Sequence, residues 1–246
     1  AAAAAVGVVV GVITLTGAGF RISFVVTRAA TDTAALFQPI LAVLPTSVAD
    51  LQSLTLFFTL LFIAVVCVLM GTGLPTTALY IVLAAMAAPA LTQLGVQPLA
   101  AHLFILYYGV LADLTPPVCI AAYAAAGIAG ADPFKTGNTA FRLGMAKATV
   151  PFVFAYSPAM LIMVEGFTWS DFLFTTISCA LGVLVMGIGL TGYAFARMGR
   201  LAQAVLVLAA LLMISPNLTL TTAGVLLAAP VLLLNWLGSR RAVASA

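Results

Sequence analysis

Two short segments hold the groups in this chain that could do chemistry. The first is Gly71-Thr72-Gly73-Leu74-Pro75-Thr76-Thr77. Gly71 and Gly73 permit backbone angles closed to other residues and leave carbonyls uncovered. Pro75 lacks an N–H and stops a helix arriving from the preceding side. Thr76 and Thr77 bring hydroxyls and can cap the helix that follows. Carbonyl and hydroxyl oxygens suit a hard cation, and a helix N-terminus suits a carboxylate. The competing reading is a plain Gly-Pro turn between two helices at the surface.

The second segment is Asp113-Leu114-Thr115-Pro116-Pro117. Its tandem prolines lack two N–H donors, which frees carbonyls about one turn earlier, around Ala112 and Asp113. Thr115 adds a hydroxyl at that level. Asp113 is the only acid between Asp50 and Asp132. A carboxylate at membrane depth marks a functional site by default. Capping of the adjoining half-helix, pairing with backbone N–H groups, or a bare proline kink are its alternatives.

Both segments sit inside apolar stretches long enough to span a bilayer. The chain is 64% hydrophobic and 6% charged, with a mean hydropathy of +1.26. A soluble domain has about 25% charged residues, so the expected class is an all-α integral membrane protein. The apolar runs are too long and too free of alternation for an outer-membrane barrel. In hydrocarbon, irregular backbone survives only where protein buries it or where it lines a cavity. Secondary transporters place substrate and coupling ions at such interrupted helices. Two interruptions close together therefore point to ion-coupled transport.

The stretch at 54–91 is cut by the first segment and that at 98–130 by the second. Other expected spans are 1–26, 142–164, 172–195, 201–214 and 220–237. Residues 31–50 read as a loop with an interfacial helix. Asp132-Pro133 places an N-cap before a proline at a first helical position. Because the chain opens on Ala1 and runs straight into an apolar stretch, a fragment or half of a larger polypeptide is expected.

Lys and Arg fall in alternate connections: Lys135, Arg142 and Lys147, then Arg197 and Arg200, then Arg240 and Arg241. The positive-inside rule puts residues 132–141, 197–200 and the C-terminus in the cytoplasm, and 165–171 outside. Residues 93–97 are then outside, and 54–91 enters and leaves on that same face. Arg28 breaks the rule. The net charge of +3 sits at helix ends and gives no sign of a nucleic-acid partner.

Cys67, Cys119 and Cys179 lie singly in apolar runs, without metal-ligand spacing, and read as buried small hydrophobes. The single His102 reads as interfacial or satisfied by packing rather than as a proton relay. Tyr107 and Tyr108 read as packing or as path lining, and Arg21 as a weak anion contact. There is no pair of His for a metal and no Ser/His/Asp set, so no enzyme and no cofactor is expected.

The runs GTGLPTTALYIVLAAMAAPAL and GVQPLAAHLFILYYGVLADLTPPVCIAAYAAAGIAGADPFKTGNTAFRLG resemble the large permease subunit of TRAP transporters. These are tripartite ATP-independent periplasmic transporters of bacteria and archaea. The resemblance spans residues 1–163, is dense between 71 and 144, and is greatest to the fused type that works with TAXI-class binding proteins. It implies two inverted repeats, each with a re-entrant hairpin and a broken helix, and an elevator movement. On this reading residues 1–164 are the second repeat and 165–246 a C-terminal transmembrane extension. It also implies import of organic anions (carboxylates) driven by a gradient of Na⁺ or H⁺ across the cell inner membrane. The implied partners are a periplasmic substrate-binding protein, the missing first permease repeat, and a small four-helix subunit or its fused equivalent.

By the same resemblance Gly71, Gly73, Ala112, Thr115 and Val118 are cation-binding candidates. Thr76, Thr77, Asp113 and Pro116 are substrate-binding candidates. Two other readings stay open: an elevator-type dicarboxylate carrier without a binding protein, and a membrane assembly subunit that transports nothing.

The orientation can be read directly. In a background free of cysteine, a cysteine at Gly166 is expected to react with an impermeant maleimide from outside, and one at Ser239 is not. The reverse labelling pattern would invert the topology.

Overall fold

The computed structural model describes residues 2–41, 51–71, 76–162, 166–215 and 217–244. Among them every regular element is a helix, beside one isolated bridge between Tyr193 and Arg197. The all-α membrane class expected from composition holds.

The single span expected over 1–26 is instead two helices, α1 (Ala2–Leu15) and α2 (Ala18–Ala35). Gly17 separates them at φ 65°, a left-handed conformation that glycine adopts without a Cβ penalty. α2 is two-faced: Gly19, Ser23, Ala30 and Ala34 are buried, while Arg21 and Arg28 are exposed. Arg28 thus lies within an amphipathic helix, not in a connecting loop of the kind the charge rule counts. The region 31–50 begins with the end of α2 and continues into the single turn α3 (Gln38–Leu41). Residues 42–50 lie outside the described residues.

The interrupted stretch at 54–91 is a pair of helices, α4 (Leu51–Gly71) and α5 (Thr76–Gln93), that pack on each other. With 21 and 18 residues, they reach about 31 and 27 Å, close to the ~30 Å of a hydrocarbon core. α6 (Pro98–Ala112) packs against both. Its 15 residues reach only about 22 Å. Irregular backbone over 113–119 separates it from α7 (Ile120–Ala129). The broken-helix pattern expected over 98–130 is therefore present.

Pro89 sits inside α5 and lacks the N–H that would bond the Ala85 carbonyl. α2 crosses at this point. A Cβ on Gly19 would stand 2.7 Å from the Ala85 oxygen, so only glycine permits the approach. One turn on, the Ser23 hydroxyl donates to the Met86 carbonyl at 2.7 Å.

The chain divides into two compact units, 1–121 and 122–246. The core of the first unit includes Leu60, Leu79, Leu83, Leu91, Phe104 and Ile105, all fully buried. The second unit contains α8 (Pro133–Lys147), α9 (Val150–Tyr156), a 3₁₀ turn at Pro158–Met160, α10 (Trp169–Thr191), α11 (Arg200–Ile214) and α12 (Leu218–Ala244). Asp132 caps α8 as expected, its side chain accepting the Lys135 N–H at 2.8 Å. The span expected over 142–164 is not continuous: α8 stops at Lys147 and α9 starts afresh around Pro151. Proline cannot donate to the preceding turn and crowds it, so the helix is divided there. α10, α11 and α12 pack in sequence. Close contact depends on small residues, as at Gly224, where a Cβ would lie 2.6 Å from the Ala209 oxygen.

Among the described residues four helices are long and apolar enough to cross a membrane: α4, α5, α10 and α12. The protein is a multi-pass membrane protein.

Candidate functional site

The hairpin formed by α4 and α5 and the break after α6 meet within the first unit. Gly71 is the last residue of α4 and is buried. A Cβ there would overlap the Cβ of Ala112, the last residue of α6, and would stand 3.0 Å from Leu79 Cδ2. Glycine is thus required by space, because the end of α4 rests directly on the end of α6.

Beside this contact, the first residue of α5 reaches the first residue beyond α6. Thr76 Oγ1 donates to Asp113 Oδ2 at 3.0 Å. Both residues are half-buried. The bond uses one carboxylate oxygen and leaves the hydroxyl oxygen of Thr76 able to accept. The two segments singled out in the sequence thus meet through Thr76 and Asp113, 37 positions apart in the chain. The Asp113 side chain joins the hairpin rather than capping its own half-helix.

The backbone of the break is satisfied locally. Pro116 lacks the N–H that would bond the Ala112 carbonyl, and the Thr115 N–H bonds that carbonyl instead, at 2.9 Å. The Ala112 oxygen expected to be freed is therefore engaged through a tighter i→i−3 bond. Leu114 N–H bonds the Leu111 carbonyl at 3.0 Å, and Cys119 N–H bonds the Thr115 carbonyl at 3.3 Å. The Thr115 hydroxyl is buried and donates to the Leu111 carbonyl at 3.1 Å. The Leu111 carbonyl accepts both of its bonds, while the Ala112 and Thr115 carbonyls each keep a second lone pair and the Thr115 hydroxyl keeps its acceptor capacity. What the break offers is second lone pairs on engaged oxygens, in a turn that holds the cis Pro116-Pro117 bond and Cys119 at φ 34°.

Of the other candidates, Gly73 lies outside the described residues. Thr77 is exposed, and Pro116 and Val118 are half-buried. No hydrogen bond joins these three to the hairpin tip among the described residues. The structure thus brings together Gly71, Thr76, Ala112 and Asp113, with Thr115 in the adjoining turn.

One pair was not anticipated. Tyr80 Oη and His102 Nδ1 lie 3.0 Å apart and tie α5 to α6. Thr76 and Tyr80 are four apart and share a face of α5, which is the sequence signal for it. His102 is satisfied by this partner. Tyr108 is buried with its ring 4.9 Å from that of Phe104, which is a packing role. Cys67, Cys119 and Cys179 are each buried and free. Among the described residues no three His, Cys, Asp or Glu side chains group as metal ligands.

The family model described as "Tripartite ATP-independent periplasmic transporter, DctM component" matches residues 1–169. The chain belongs to this family. It is a permease component of a TRAP transporter, and the family is one of transporters, not of enzymes. Membership implies association with a periplasmic binding protein and a small membrane subunit. No curated protein and no solved structure matches this chain. The hairpin tip and the helix break that meet at Thr76 and Asp113 both fall within the matched region.

The Gly71–Ala112 contact predicts a specific rescue. Gly71→Ala is expected to destabilise the protein by about 1–3 kcal/mol, because neither backbone has room to give. Adding Ala112→Gly removes the overlapping methyl and should recover most of the loss, read as the melting temperature in detergent. If Ala112→Gly instead adds to the damage, the contact is not the reason for the glycine.

Proposed function

We propose that this chain is part of the membrane permease of a cation-coupled secondary transporter. The transporter imports organic anions, carboxylates among them, that a periplasmic binding protein delivers to the inner membrane. The observation that carries this reading is the Thr76–Asp113 bond, which joins a hairpin tip to a helix break. In a membrane, two irregular termini are brought together where polar groups have a ligand to serve.

Within this reading, the cation binds among oxygens contributed by Gly71, Gly73, Ala112, Thr115 and Val118. The neutral carbonyl and hydroxyl oxygens there suit Na⁺ as a hard cation, with H⁺ the alternative coupling ion. The substrate carboxylate binds beside Thr76, Thr77, Asp113 and Pro116, where the N-terminus of α5 offers N–H groups and a positive dipole end. The negative charge of Asp113 then favours the cation first, and the bound cation favours the substrate anion. That order couples the two without a further moving part.

The same reading makes residues 1–164 the second inverted repeat of a fused, TAXI-type permease, with the hairpin 54–91 re-entrant and the helix 98–130 broken. Residues 165–246 are a C-terminal extension. The first repeat supplies the other wall of the site, and a small four-helix subunit or its fused equivalent completes the permease. Movement of the hairpin with the broken helix carries the site across.

Thr115 gives the most direct test of the cation site. In the complete permease, Thr115→Val removes a hydroxyl and keeps the shape. A lost ligand or hydrogen-bonding group at a buried site is worth about 1–3 kcal/mol, which is roughly five- to 150-fold in the cation midpoint for uptake. Thr115→Ser should retain most function. An unchanged cation midpoint in folded, membrane-inserted Thr115→Val would remove Thr115 from the site.

A further inference from the structure

One end of the second unit is rimmed with arginines. Arg142 on α8 donates from Nη2 to the Leu190 carbonyl at the C-terminus of α10, at 3.2 Å. Arg197 follows in the turn between α10 and α11, and Arg200 opens α11. Asn235 on α12 holds this turn: its Oδ1 accepts the N–H groups of Phe195 and Ala196 at 3.1 Å each, and its Nδ2 donates to the Ala196 carbonyl at 3.2 Å. Next to it, Trp236 carries the Arg240 guanidinium 4.0 Å above its ring. By the charge rule this end is the cytoplasmic rim of the membrane.

Beneath the rim, α11 and α12 leave a groove of about 440 Å³ walled by Arg197, Leu201, Val205, Val231, Leu234 and Asn235. Arg197 is exposed, and no acidic residue lines the groove. Gly199 lies at the same mouth and starts α11 with no side-chain hydrogen bond to its first N–H groups. Leu201 and Leu234 are 81% and 69% exposed. The groove is therefore apolar along its length and cationic at one end only, at the depth where lipid headgroups begin. Basic pockets between membrane helices at this rim are suited to lipid phosphate, and a guanidinium matches its geometry.

We propose that this groove is a binding site for an anionic phospholipid. Its phosphate sits on Arg197 at the mouth, and an acyl chain lies along Leu201, Val205, Val231 and Leu234. The charge complements the headgroup, and the apolar wall excludes a free anion as the natural occupant. The lipid would tie the turn between α10 and α11 to α12 on its outer side, as Asn235 does on its inner side.

Native mass spectrometry of the purified protein tests this, with dioleoylphosphatidylglycerol, dioleoylphosphatidylcholine and inorganic phosphate as probes. Phosphatidylglycerol is expected to be retained in preference to phosphatidylcholine. Arg197→Gln should weaken that retention by about fivefold, the worth of one basic side chain beside an anionic headgroup. Lys135→Gln, which removes a charge from α8 and not from the groove, should leave it unchanged. Equal retention of the two lipids, or no effect of Arg197→Gln, would overturn the proposal. Displacement of phosphatidylglycerol by millimolar phosphate would also overturn it, showing a free-anion site.

Discussion

Pro89, Pro116 and Pro151 each remove an N–H from an apolar run where no water can replace it, and the local fold at each meets that deficit in a different way. At Pro89 a neighbour covers the gap: α2 lays Gly19 against the Ala85 carbonyl that the proline leaves, and Ser23 bonds the Met86 carbonyl beside it. At Pro116 the answer is local, and the Thr115 N–H takes the Ala112 carbonyl that the proline leaves. At Pro151 the helix is abandoned, and α8 and α9 replace one span. These three answers give a buttressed helix, a broken helix and a pair of short helices. Of the three, the broken helix yields a turn that carries Asp113 and Thr115, and the end of α4 and the start of α5 meet that region.

This packing needs two unlike contacts. Gly71 on Ala112 is a steric contact and brings the backbones close. Thr76 to Asp113 is a polar contact and joins the start of α5 to the end of α6. Each would be ordinary alone. Together they place the start of α5, with its N–H groups, beside a carboxylate and a buried hydroxyl. On the proposed reading, a cation and an anion are held next to each other there. Tyr80 and His102 repeat the tie between α5 and α6 further along the pair.

Much of this was legible in the residues. Composition gave the class, and glycine and proline located both breaks to within a few positions. Asp132 as a cap followed from its place before Pro133. Two spans were misread for the same reason: hydropathy averages over a window and does not register a single backbone constraint. Gly17 in a left-handed conformation and Pro151 at a helix start each divided a run that looked continuous. The Thr76–Asp113 bond was beyond reach, because nothing in the order of residues says which hydroxyl a lone carboxylate meets. The fate of the Ala112 carbonyl was also hidden: a missing donor is visible in sequence, but the donor that replaces it depends on how the turn closes. The expected roles of Thr77, Pro116 and Val118 rest on resemblance, since their positions show no bond to the tip among the described residues.

The central claim is that the hairpin tip and the helix break act as one binding unit through Thr76 and Asp113. The measurement that bears on it most directly is a double-mutant cycle on the complete permease, using Thr76→Val, Asp113→Ala and the pair, read as the cation midpoint of substrate uptake. Residues in direct contact show coupling of about 0.5–3 kcal/mol, so the second substitution should add far less than it costs alone. Strict additivity, with each change exerting its full effect in the presence of the other, would contradict the account.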